Sequence, residues 1–166
     1  MSITFVIMAK LPEPGHVKTR LTGPGGLDAH GAARVAAAML RCVVRRLRSR
    51  GRVVLGVTPD DARVAFRQSV LASSDLQLPD AAFQPQGDGD LGSRLDRIWR
   101  SVERHGPVAF FGVDSPDVPD AALDALVAGL DHHEAVVGPT DDGGYWTLGA
   151  RRYAPELLRD IDWGTD

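Results

Sequence analysis

Ile3-Thr4-Phe5-Val6-Ile7-Met8-Ala9 is rich in β-branched residues, almost continuously apolar, and broken at once by Lys10-Leu11-Pro12-Glu13-Pro14-Gly15. Such a run without alternation is the pattern of a strand buried on both faces, which requires helices on each side of its sheet. Outward from it, residues 27–50 form an Ala- and Arg-rich stretch in which Ala36, Leu40, Val43 or Val44, and Leu47 recur at helical spacing. Gly51 stands where a helix terminator belongs, and Arg52-Val53-Val54-Leu55-Gly56-Val57-Thr58 reads as a second strand stopped by Pro59. The order is β-α-β, the unit of a parallel sheet with right-handed crossovers.

Further along, a short helix is predicted at 60–72 and an irregular stretch at 75–90, where Pro79, Pro85, Gly87 and Gly89 interrupt any pattern. Leu91, Leu95, Ile98 and Val102 then mark a helical stripe, followed by a buried-type strand from Pro107 to Val113. Pro119 opens a helix carrying Leu123, Leu126 and Leu130, before a strand at Glu134 to Pro139 and a short run at Tyr145 to Leu148. The predicted fold is α/β: three α/β/α layers around a mostly parallel, Rossmann-like sheet. Ligands of such sheets bind beyond the carboxyl ends of the strands, where the loops 10–26, 114–119 and 139–144 fall.

Composition limits the functions. The chain has 166 residues, the size of one domain, with 43% hydrophobic and 25% charged residues, so a packed core can form. The net charge of -3 supplies no global field for nucleic acid or anionic membrane. Of the arginines at 34, 41, 45, 46, 48, 50 and 52, most fall on the solvent face or C-terminal turn of one predicted helix, without aromatic residues to stack bases. The single Cys42 excludes an internal disulfide and reads as a small core residue; no apolar segment is long enough to span a bilayer, and the expected compartment is cytoplasmic.

Three loops carry candidate chemistry. The first concentrates Lys10, Lys18 and Arg20 within eleven residues, stiffened by Pro12 and Pro14, with Gly15 permitting close backbone approach. Cations so placed suit a di- or triphosphate, since Arg offers a fork and Lys a point charge; the bland alternative is a solvated basic loop. The second, Gly112-Val113-Asp114-Ser115-Pro116-Asp117-Val118-Pro119-Asp120, sends Asp114 out of a buried strand, where a carboxylate can hold a hard cation such as Mg²⁺. Asp117 and Asp120 flank Pro119 and read as residues of a helix N-terminus. The third, Gly138-Pro139-Thr140-Asp141-Asp142-Gly143-Gly144-Tyr145-Trp146, is a hairpin signal that can also present carboxylates and backbone N–H groups to a ligand. Gly87-Asp88-Gly89-Asp90-Leu91-Gly92 matches G-x-G-x-x-G, but it lies far from the first strand and puts two aspartates where a pyrophosphate would sit. A dinucleotide site is not expected there, although Arg94 remains in reach of an anion. The five histidines give no zinc ligand set.

Read together, Ala9-Lys10-x-Pro12-x-Pro14-Gly15-x-Val17-Lys18-Thr19-Arg20-Leu21, Gly89-Asp90-Leu91-Gly92-x-Arg94-Leu95, Gly112-x-Asp114-Ser115-Pro116, Gly138-Pro139-x-x-Asp142-Gly143-Gly144-Tyr145 and Trp163-Gly164-Thr165 resemble a bacterial family of uncharacterised glycosyltransferase-like proteins. That family lies in the nucleotide-diphospho-sugar transferase superfamily with the GT-A type of fold, whose wider membership includes guanylyltransferases. The resemblance implies that Lys10, Gly15, Lys18 and Arg20 meet donor phosphates and that Asp114 binds Mg²⁺ or Mn²⁺. It implies that Gly89, Gly92 and Arg94 shape the nucleotide side, and that Ser115, Asp141, Gly143, Gly144 and Tyr145 line the acceptor or sugar pocket, with Asp142 as the acceptor-side catalytic carboxylate. Family members continue past the Trp-Gly-Thr motif, so residues 1–166 are expected to form a single domain lacking its C-terminal elements. Three functions follow as expectations. They are glycosyl transfer from a nucleotide-sugar to a small-molecule acceptor, nucleotidyl transfer from a nucleoside triphosphate to a phosphorylated small molecule, and a degenerate, non-catalytic nucleotide-binding domain.

Overall fold

The computed structural model describes residues 2–141, 143–159 and 161. Among them, six strands form one sheet: β1 (Thr4–Lys10), β2 (Arg52–Thr58), β3 (Phe83–Pro85), β4 (Val108–Phe111), β5 (Ala135–Pro139) and β6 (Tyr145–Ala150), in the spatial order β3-β2-β1-β4-β6-β5. The pairings β1–β2, β1–β4 and β2–β3 are parallel, whereas β6 runs antiparallel to both β4 and β5. The sheet is therefore mixed, and β1 lies inside it, as its unbroken apolar run requires: Phe5, Val6 and Ile7 are fully buried.

Helices cover both faces. On one, α1 (Ala29–Arg48) and α4 (Asp120–His132) bury Leu40, Val43, Val44, Leu47, Leu123, Leu126 and Leu130 against Phe5, Ile7, Leu55 and Phe111. On the other, α3 (Leu91–Val102) buries Leu95, Ile98, Trp99 and Val102 against Val6, Val54, Val108 and Phe110. The alternation of β1 side chains between the two clusters is the period-2 geometry of a central strand.

Four expectations change. The helix predicted at 60–72 is only a turn of α2 (Arg63–Ala65) running into a π-helical turn at Phe66–Val70. The stretch expected to be irregular contains β3, which the sequence hides because a three-residue strand has no visible period and Pro85 is tolerated on an edge strand. Leu91 opens α3 but stays 40% exposed, and the inward position is taken instead by Trp99, 1% exposed. Cys42 is half-buried rather than core, with Sγ 3.5 Å from the Pro116 carbonyl. In addition, Gly138 serves packing: a Cβ there would lie 2.2 Å from the Trp146 indole, which crosses from β6 to rest 5.3 Å from the Phe111 ring.

Candidate functional site

The chain leaves β1 toward β2 and β3 on one side of the sheet and then crosses to β4 on the other. The order of strands reverses between β1 and β4, and at such a point the two following loops part to leave a crevice. Lys10 ends β1, and Gly112 follows β4. The β5–β6 hairpin turns at the same edge, closed by Thr140 N–H to the Gly144 carbonyl (2.9 Å) and Gly143 N–H to the Thr140 carbonyl (3.1 Å). All three loops singled out by the sequence thus gather at one edge.

Over the β1–β4 crevice, Lys18 Nζ donates to Asp114 Oδ1 at 2.7 Å, joining residues 96 positions apart. Lys18 is the only non-glycine residue with positive φ among the described residues (φ 50°, ψ 37°). Left-handed backbone at such a residue costs about 1–3 kcal/mol. The Asp114 side chain is 72% exposed, and an exposed ion pair returns only ~0.2–1 kcal/mol. Stability alone therefore does not account for the geometry. Lys10, His16, Lys18 and Asp114 line a cleft of about 240 Å³ floored by Ala36 and Leu40 of α1. His16 is a residue the sequence pattern did not single out.

The other expected residues take different places. Gly15 sits at φ +80° in the turn that carries the chain from Pro14 toward Lys18. Arg20 lies exposed in the 3-10 turn Thr19–Leu21. Gly89 (φ +108°) belongs to the loop before α3, Gly92 is buried in the first turn, and Asp90 caps the helix by accepting from Ser93 N–H at 2.7 Å. Arg94 donates through Nε to the Gly89 carbonyl at 2.8 Å and so braces its own loop. Ser115 lines the seam between α1 and α4 rather than the Lys18 cleft. Asp141, Gly143, Gly144 and Tyr145 are exposed on the hairpin, and desolvation raises the Tyr145 phenol pKa, leaving it a neutral donor at pH 7. Asp142, like Trp163, Gly164 and Thr165, lies outside the described residues.

The loop bearing Asp114 is fixed from behind by Arg46 of α1. Its guanidinium donates to the carbonyls of Pro116 (2.7 Å) and Val118 and to Asp120 Oδ1 (2.9 Å). Asp120, the first residue of α4 as expected, also accepts from Arg50. The Asp120 carboxyl is held below the usual carboxylate range, first by the Arg46 hydrogen bond. The stability this pair contributes is present above the unfolded carboxylate pKa of about 3.9 and is lost as pH falls through the lower folded value. Arg46→Ala is expected to destabilise the fold by about 1.5–3 kcal/mol at pH 7, the range for hydrogen bonds to charged groups. In urea unfolding the gap to the parent should narrow between pH 7 and pH 3; a gap that stays constant would refute the Asp120 contribution.

Among the described residues no three His, Cys, Asp or Glu side chains converge on one point. Asp114 would therefore meet a cation with at most one further such side chain among the described residues. That donor set fits Mg²⁺ or Mn²⁺ completed by water and ligand phosphates, and does not fit a structural zinc site.

A model of uncharacterized proteins conserved in bacteria, DUF2064, matches residues 39–165. The chain belongs to this family. No curated protein sequence matches it. Among solved structures, a candidate nucleotide-diphospho-sugar transferase of Desulfovibrio desulfuricans G20 shares the fold at a TM-score of 0.82 and 27% identity, over 99% of this chain and 71% of that one. The 4-diphosphocytidyl-2C-methyl-D-erythritol synthase of Anaerococcus prevotii matches at TM-score 0.58 and 14% identity, over 99% and 79%. A CMP:2-keto-3-deoxy-manno-octonic acid synthetase complexed with CTP matches at 0.51 and 15%, over 96% and 77%. The last two similarities are of fold alone. The DUF2064 chain thus has the α/β architecture of nucleotide-diphospho-sugar transferases, and among its described residues no helix is long and apolar enough to cross a membrane.

Proposed function

We propose that this protein is a divalent-metal-dependent transferase that takes a nucleoside-diphosphate sugar and passes its glycosyl group to a small-molecule acceptor. The observation that carries the reading is the Lys18–Asp114 pair, held by strained backbone above the point where strand order reverses. Likeness to the candidate sugar transferase supports it.

In the reaction, the bond between the sugar and the distal phosphate oxygen breaks as the acceptor oxygen bonds to the sugar carbon. The acceptor loses a proton, and the nucleoside diphosphate departs with the added negative charge. Lys10, Lys18 and Arg20 stabilise that charge by electrostatic catalysis without a covalent nucleophile, and Asp114 would hold a divalent cation, which would supply further positive charge to the phosphates. The turn at Gly15 brings the loop backbone near the phosphates. Gly89, Gly92 and Arg94 flank the nucleotide, while Asp141, Gly143, Gly144 and Tyr145 serve the acceptor, with Asp142 the carboxylate that receives its proton. The fold shared with the CTP-bound synthetase supports a second reading, nucleotidyl transfer to a phosphorylated small molecule by the same cations.

Melting curves with Mg²⁺ or Mn²⁺ and a panel of nucleoside diphosphates, triphosphates and nucleotide-sugars test both. At 100-fold saturation a donor stabilises by about 2.7 kcal/mol, or very roughly 5–10 °C for a domain of this size. A nucleotide-sugar that stabilises more than its parent triphosphate supports glycosyl transfer, and the reverse order supports nucleotidyl transfer. No shift with any member would sink both, and a shift without turnover on any acceptor would leave a nucleotide-binding domain that does not catalyse.

A further inference from the structure

The loop that carries Lys10 and Lys18 has a second side. Pro12 and Pro14 do not line the Lys18 cleft but wall a separate groove of about 400 Å³, lined also by Ser69 and Val70 and by residues of α1. Into it α1 presents His30, Arg34 and Arg41, with Ala33 and Ala37 keeping the floor between them low. Arg34 and Arg41 are two helical turns apart, ~10 Å along the axis, a span that two arginine side chains can close onto one anion.

These arginines differ from the others on the helix. Arg45 is paired with Asp75, Arg46 with Asp120, Arg48 with the Asp75 carbonyl and Arg50 with Asp124. Among the described residues, His30, Arg34 and Arg41 have no hydrogen-bond or ion-pair partner, and no acidic side chain lines the groove. Ser69 has already given its hydroxyl hydrogen to the Ala65 carbonyl at 2.6 Å, so recognition of an anion falls to the basic groups. Because Arg45, Arg46 and Arg50 are each paired with a carboxylate, the unpaired positive surface of this face is concentrated at the groove. It does not extend into a track for a polyanion, and the chain's net charge is -3.

We infer that this groove binds the phosphate group of a phosphorylated small molecule, apart from the donor cleft. Two guanidinium forks match phosphate oxygens in pairs, while Pro12, Pro14 and Val70 offer an apolar wall to the carbon body attached to them. The inference does not depend on the donor assignment, since the two sites use different residues of one loop and share no lining residue.

The test is an amide chemical-shift titration of the ¹⁵N-labelled full chain with glucose 6-phosphate and, separately, with inorganic phosphate. Shifts are expected along residues 30–41 and at 69–70, with glucose 6-phosphate binding tighter than inorganic phosphate. The Arg34→Ala/Arg41→Ala pair should weaken binding at least tenfold, Arg34→Lys/Arg41→Lys should weaken it less, and Lys18→Ala should leave it unchanged. The lysine pair also guards against misfolding of the alanine pair. Shifts confined to residues 16–20 and 113–115, or equal affinity in the alanine pair and the parent, would overturn the site. Inorganic phosphate binding as tightly as the sugar phosphate would overturn its assignment to a phosphorylated small molecule.

Discussion

Asp114→Asn is expected to leave the melting temperature of the ligand-free protein almost unchanged while removing the dependence of donor binding on Mg²⁺ or Mn²⁺ and lowering transfer at least about 100-fold, the scale of removing one preorganised electrostatic group. The two halves of this prediction rest on different magnitudes. The Asp114 side chain is 72% exposed and its ion pair with Lys18 contributes ~1 kcal/mol at most. Asparagine keeps the shape and still accepts from Lys18 Nζ, so the crevice persists. What it lacks is the charge that holds a cation against phosphate oxygens, and among the described residues no cluster of three ligating side chains stands by to replace it. The decisive measurement is the metal titration of the ligand-induced melting shift in variant and parent. An unchanged metal dependence in Asp114→Asn would overturn the role given to this residue, whatever became of the overall activity.

Trp99→Ala is expected to be the most destabilising single truncation on the α3 face of the sheet. Trp99 is 1% exposed and meets Phe110 of β4 edge-on at 5.4 Å and Tyr153 at 5.5 Å. Tyr153 in turn donates its hydroxyl hydrogen to Asp96 and lies under Arg100, so the indole links the helix, the sheet and the segment after β6. Replacing such a side chain by alanine costs about 3–5 kcal/mol in lost burial and residual cavity. In a domain of this size that lowers the melting temperature by roughly 6–20 °C. A loss below ~1 kcal/mol in chemical unfolding would show that the face repacks without it.

How much of this was legible in the chain depended on how local the physics was. The apolar run at Ile3 to Ala9 and the helical recurrence of Leu40, Val43 or Val44, and Leu47 are signals within single elements, and the structure buries all of these side chains except Met8, which is partly buried. β3 escaped notice because its three residues are held by β2 on one side only, and pairing with a neighbour leaves no mark in so short a segment. The hairpin signal at 138–146 implies that β5 and β6 pair antiparallel, but nothing in their own residues tells that β6 lies between β4 and β5.

The arginines of α1 show the same limit at the level of the site. Their spacing places most of them on the solvent face or last turn of a helix, and α1 carries Arg34 to Arg48, but spacing says nothing of what faces them. Only packing of the 71–80 segment and the start of α4 against α1 turns Arg45, Arg46, Arg48 and Arg50 into clamps, and only the gap beside Pro12 and Pro14 leaves Arg34 and Arg41 open. By itself the sequence determined that the fold is α/β and that Lys10, Lys18, Arg20 and Asp114 stand in loops at strand ends, since burial periodicity and strand breaks are written in neighbouring residues. The tertiary structure decided that Lys18 and Asp114 meet across 96 residues, because contact between them requires β1 and β4 to lie side by side, and that adjacency comes from the order of the strands rather than from any stretch of chain.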